Sequence, residues 1–152
     1  MPVPPVSSRM PGSGSPPGRG EALLLVDDHE DNLFALEHAL TPLGRPILRA
    51  TSGEQALKTV LREPVATVVM DVVMPHIDGL QTLGYLHRLD QTRDLPVLLV
   101  TGTSRDNQLA RLAYKLGAAG LPLEPLDPWA LCCHVRTLAD LYTRTPADVS
   151  SA

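Results

Sequence analysis

The chain reads as an open, doubly wound α/β domain. A five-stranded parallel sheet is expected between two layers formed by five helices. Two observations predict this. From Glu21 onward, short Leu-rich or β-branched runs alternate with segments of helical period, the rhythm of a parallel sheet with crossover helices. One run, residues 65–70, is almost continuously apolar, which marks a central strand buried on both faces.

The elements follow in order. Residues 22–26 make the first strand. Residues 32–43 form a helix with Leu33, Leu36, Leu40 and Leu43 on one face and Gly44 as its stop. Residues 46–50 give a short second strand, placed near the sheet edge by Pro46 and Arg49. Ser52 caps a helix over 53–63 that is expected to bury Ala56, Leu57, Val60 and Leu61. After the third strand, a loop through Met74, Pro75, His76, Ile77, Asp78 and Gly79 enters a helix over 80–89. Residues 96–101 are the fourth strand. Ser104 caps the next helix, which should bury Leu109, Leu112, Ala113 and Leu116 and stop at Gly117. A short fifth strand occupies 120–123. Asp127 and Pro128 have the character of an N-cap and first turn, opening a last helix to about Tyr142. Along it Leu131, Val135, Leu138 and Tyr142 repeat at three and four, and Trp129 is expected to pack it onto its neighbours.

Composition narrows the function classes. A chain of 152 residues with 43% hydrophobic content holds one ordinary domain with a core. A net charge of −4 gives no electrostatic case for nucleic acid or an anionic membrane. No apolar stretch approaches the ~20 residues a membrane helix needs. Fourteen of the first twenty residues are Pro, Gly or Ser, without the apolar segment of a signal peptide. Residues 1–20 therefore read as a disordered leader, 21–144 as the domain and 145–152 as a flexible tail. With no targeting feature, a cytoplasmic protein is expected. Cys132 and Cys133 are adjacent and have no third cysteine, so neither a disulfide framework nor a zinc site follows. His29, His38, His76, His87 and His134 show no ligand spacing.

Chemistry concentrates at strand ends. Asp27 and Asp28 follow the first strand, Asp71 the third and Thr101 the fourth, while Glu124 and Pro125 follow the fifth. In an open parallel sheet the carboxyl ends of strands face one crevice, so these side chains are expected to meet there.

Val26-Asp27-Asp28, Met70-Asp71 with Met74-Pro75 and Asp78-Gly79, Thr101-Gly102 and the late Pro125 together resemble the receiver domain of bacterial two-component response regulators. The resemblance covers residues 21–144 and implies a flavodoxin-like fold. It implies a phosphoacceptor at Asp71, which accepts a phosphoryl group from a histidine kinase or phosphotransfer protein. Mg²⁺ would be held by Asp27, Asp28, Asp71 and the backbone carbonyl of Val73, a hard cation on oxygen ligands. Thr101 would bind a phosphoryl oxygen. Output would pass to an unknown downstream protein through the last two helices and the fifth strand. The implied role is a signalling module and not an enzyme. An aspartate-nucleophile phosphatase needs an acid two positions after the first, and here Asp27 is followed by Asp28 and then His29.

The chain also departs from the family. The usual lysine before the last strand's proline is Glu124, and the usual aromatic three positions earlier is Leu121. Four acids near one point should raise the pKa of at least one, or strengthen divalent-cation binding. The altered pair also favours an alternative: a pseudo-receiver that binds a protein or ligand without being phosphorylated.

Overall fold

The computed structural model describes residues 21–102 and 107–151, with side chains through residue 143. Strands β1 (Ala22–Val26), β2 (Ile47–Ala50), β3 (Val65–Asp71) and β4 (Val97–Val100) form one parallel sheet in the order β2-β1-β3-β4. The chain runs from β1 out to β2 and then back across to β3. The strand order therefore reverses between β1 and β3, where such sheets open a binding crevice.

Alternation along the strands builds two cores. Leu24, Val26, Val68, Met70, Val97 and Leu99 face α2 (Gly53–Arg62), α3 (Gly79–Arg88) and α4 (Asn107–Lys115). Leu23, Leu25, Val69, Leu98 and Val100 face α1 (Glu30–Leu40) and α5 (Pro128–Ser151). With a side-chain period of two, each strand feeds both layers, giving the three-layer α/β/α arrangement. The expected edge position of β2 is observed, and its exposed Arg49 pairs with Glu30 and Glu37 of α1.

Several expected details differ. The segment expected as a fifth strand at 120–123 meets β4 only through two isolated parallel bridges, Leu98 with Gly120 and Thr101 with Leu123. A continuous ladder needs a backbone N–H at position 122, and Pro122 has none. The first helix starts two residues early and closes in a 3-10 turn, Thr41–Leu43, before Gly44.

Leu61 and Leu112 are half exposed rather than core. Leu61 lies about 140° around α2 from buried Ala56, and Leu112 about 100° around α4 from buried Ala113, outside each helix's narrow apolar stripe. Trp129 is 76% exposed and packs nothing into the core. It stands about 200° from Leu131, on the outer side of α5. Helix α5 also runs on to Ser151, past the last apolar repeat at Tyr142, because that pattern marks only the packed part of a helix. The Ser104 cap lies outside the described residues. Ser52 does cap α2, accepting from the backbone N–H of Gln55.

Candidate functional site at the carboxyl edge of the sheet

Register decides which side chains meet. Val26 pairs with Met70 across β1 and β3, so Asp27 and Asp71 leave neighbouring strands at one level. Asp71 pairs with Val100, which puts Thr101 beside it on the other flank. The Thr101–Leu123 bridge, with Glu124 N–H donating to the Thr101 carbonyl at 2.9 Å, brings Glu124 to the same edge.

Asp27 is buried at 3% exposure. Its carboxylate accepts from the His29 backbone N–H at 2.9 Å and from the Asn32 side-chain amide at 3.1 and 3.3 Å. Neither Asn32 nor His29 stands out in the sequence as a site residue. Asn32 is recognisable only once the first turn of α1 folds back over β1. Asp28 Oδ1 is buried with no hydrogen-bond partner, although His29 Nδ1 lies 3.2 Å away. An orphaned carboxylate oxygen is costly in a dry site, and coordination of a cation would relieve it.

Asp71 is half-buried and accepts from the Val73 backbone N–H at 3.4 Å. Its carboxyl is pushed up from 3.8 to about 6, by burial first and by the charge of Asp27 next. The Val73 hydrogen bond pulls in the opposite direction, and Glu124 and Asp28 add smaller upward pushes. Three acids therefore act on Asp71, and the expected rise in pKa falls there. Among the described residues, the basic side chain within 4 Å of Asp27 and Asp28 is the imidazole of His29, and the Lys and Arg ion pairs lie elsewhere.

The loop after Asp71 needs close backbone approach. A Cβ on Gly79 would collide with the Asp71 carbonyl oxygen, so only glycine fits there. Asp78 before it caps α3 in a reciprocal box with Gln81, the side chains three positions apart that mark a helix start. Val73, whose carbonyl is the expected fourth oxygen ligand, is exposed at the mouth of this loop.

On the far flank Thr101 is fully buried, and Leu121 fills the core at 2% exposure. Glu124 reaches over Gly102, where an added Cβ would stand 2.7 Å from Glu124 Oε1. Glu124 also walls a groove of about 270 Å³ between α1 and the start of α5, shared with Asn32, Leu36, Leu126 and Leu131.

The donor set fits a divalent cation: Asp27, Asp28 and His29 offer donor atoms within 4.8 Å of one another, an Asp28 oxygen among them is buried with no hydrogen-bond partner, and the Asp71 carboxylate stands on the next strand. Beside it stands a carboxylate able to act as a nucleophile toward an electrophilic phosphorus.

Comparison with known proteins agrees with this geometry. Residues 23–136 match the family described as the response regulator receiver domain. The transcriptional regulatory protein AfsQ1 of Streptomyces coelicolor is 30% identical over 130 residues, covering 86% of this chain and 56% of that protein. The alkaline phosphatase synthesis transcriptional regulatory protein PhoP of Bacillus subtilis is 29% identical over 117 residues, covering 76% and 47%. The chain thus spans about half the length, or less, of the curated relatives it matches. Among solved structures, the signal receiver domain of a histidine kinase from Syntrophus aciditrophicus superposes with a TM-score of 0.75. It is 25% identical, over 84% of this chain and 96% of that one. A sensor protein from Polaromonas sp. JS666 gives 0.73 at 27% identity, over 79% and 96%.

Proposed function

The chain belongs to the response regulator receiver domain family, and from that premise we propose that Asp71 accepts a phosphoryl group in phosphorelay signalling. The donor is the phosphohistidine of a histidine kinase or phosphotransfer protein. An Asp71 carboxylate oxygen attacks phosphorus, the P–N bond breaks, and the imidazole leaves with its electron pair. Asp27, Asp28 and Asp71, with the Val73 carbonyl, would hold Mg²⁺. That ion supplies charge neutralisation between an anionic nucleophile and an anionic phosphoryl group.

The remaining residues orient and enclose. Asn32 and the His29 backbone fix the Asp27 carboxylate. The Val73 N–H holds Asp71, and the Thr101 hydroxyl would take a phosphoryl oxygen. The observation that carries the reading is the convergence of all the acids on Asp71, beside a buried Asp28 oxygen with no donor. Family membership supports a signalling module and not an enzyme. Output passes to a downstream protein across α4, the segment that includes Leu121 and Leu123, and α5.

A second reading has its own observation. Glu124 puts a negative charge where the family carries a positive one, and that charge acts on Asp71. A phosphorylation-independent binding module would tolerate this. Incubation with Mg²⁺ and acetyl phosphate or phosphoramidate, followed by intact-mass measurement, separates the two. The relay requires a hydroxylamine-labile phosphoryl adduct. No adduct, in the native chain or in Glu124→Lys, leaves the binding module.

A further inference from the structure

Asp27, Asp28 and His29 follow one another at the end of β1, and each offers a donor atom, all within 4.8 Å of one another. His29 Nδ1 lies 3.4 Å from Asp27 Oδ1 and 3.2 Å from Asp28 Oδ1. Donors on adjacent corners of an octahedron with bonds near 2.1 Å stand about 3 Å apart. The two spacings are therefore close to the edges of a cation's coordination shell. Hydrogen bonding does not account for the shorter one, since Asp28 Oδ1 has no hydrogen-bond partner. The His29 side chain is 67% exposed, which leaves room for a cation and its waters to enter. Its backbone N–H donates to Asp27 Oδ1, while its side chain makes no capping bond to α1 and turns its Nδ1 to the two carboxylates.

We propose that His29 Nδ1 is a third ligand beside Asp27 and Asp28, and that the pocket takes a nitrogen-accepting transition-metal ion such as Co²⁺ or Zn²⁺ with an affinity that depends on this ring. The proposal rests on the reading of Asp27 and Asp28 as cation ligands. Mg²⁺ prefers oxygen and keeps several waters, so it gains little from an imidazole. Co²⁺ and Zn²⁺ gain directly from one. Nearly any nitrogen–oxygen site holds these ions above Mg²⁺, so tighter binding alone is not the mark. Dependence on His29 is.

The test titrates Co²⁺ into the full chain and into His29→Gln, following the visible absorption of bound Co²⁺, with Mg²⁺ titrated in parallel by calorimetry. Glutamine keeps a polar side chain and the backbone hydrogen bond but removes the ring nitrogen. Co²⁺ affinity should fall at least about tenfold, while Mg²⁺ affinity moves less than about twofold. With Zn²⁺ as a diamagnetic probe, the ¹⁵N resonance of His29 Nδ1 should shift, picking it out among the five histidines. Equal Co²⁺ affinity in the two proteins overturns the proposal, as does a Zn²⁺ shift at His76 or His134 with none at His29. Magnesium binding with no His29 dependence for Co²⁺ overturns this inference alone. A native chain that binds neither ion at millimolar concentration overturns the aspartate reading as well.

Discussion

Asp27 and Asp71 stand on strands paired continuously from Leu23 with Thr67 to Val26 with Met70, whereas Glu124 follows a segment joined to β4 by two separate bridges. The first flank carries the family's acids on a fully laddered support. The second carries the two departures, Leu121 and Glu124, on backbone whose continuous pairing is interrupted at Pro122. The contrast teaches that the acids of the proposed acceptor site and the two altered positions are built on different supports, so one set can stay as the family has it while the other changes.

Five measurements would break or sharpen this comparison. Asp71→Asn should abolish the phosphoryl adduct seen by intact mass, and an adduct surviving in the variant would move the acceptor off the laddered flank. Leu121→Ala should cost roughly 2–4 kcal/mol in urea unfolding, because it empties a buried core site. A loss below ~1 kcal/mol would mean that the bridged flank is loosely packed. Glu124→Lys should raise the initial rate of phosphorylation by acetyl phosphate about tenfold, the ~1.4 kcal/mol left of a charge reversal after solvent screening. An unchanged or lower rate counts against any electrostatic reach of Glu124 to Asp71.

The fourth measurement is pH dependence. In the unfolded chain the Asp71 carboxyl ionises near 3.8, and in the folded one near about 6. Through that window the folded state binds more protons, so the stability contributed by this group falls as pH rises and stays low above it. Because Asp71 is half-buried, screening reduces the size of the fall to about 1 kcal/mol. Asp71→Asn should therefore be more stable than the native chain by about that amount at pH 7.5, and nearly equal at pH 4. A gap of the same size at both values removes the linkage. Last and smallest, Pro122→Ala restores an N–H between the two bridges but loosens the unfolded chain, for a net change under about 0.5 kcal/mol. Slow hydrogen exchange at the new amide would show that the ladder has closed; fast exchange would put the interruption elsewhere.

The sequence makes the layered fold legible because strand burial and helix period are local signals. Residues 65–70 need no partner to reveal a buried centre, and Ser52 announces α2 by its own side chain. The acid cluster was legible for a different reason, since parallel strands must end on one edge. Less legible was what depends on three-dimensional direction. Leu61, Leu112 and Trp129 look apolar in the sequence, but each lies around its helix from the stripe that packs on the sheet. His29 and Asn32 lacked any spacing signal, because their meeting with Asp27 comes from the turn between β1 and α1.

Trp129 is the chain's single tryptophan, and it stands out in water on the first turn of α5, on the side of the helix turned away from Leu131 and the groove that Glu124 walls. Its indole is thus an intrinsic fluorophore on the outward side of the helix that follows the divergent flank. A partner that covers this side of α5 will blue-shift or quench its emission, so its docking can be followed optically in the native chain without any attached dye.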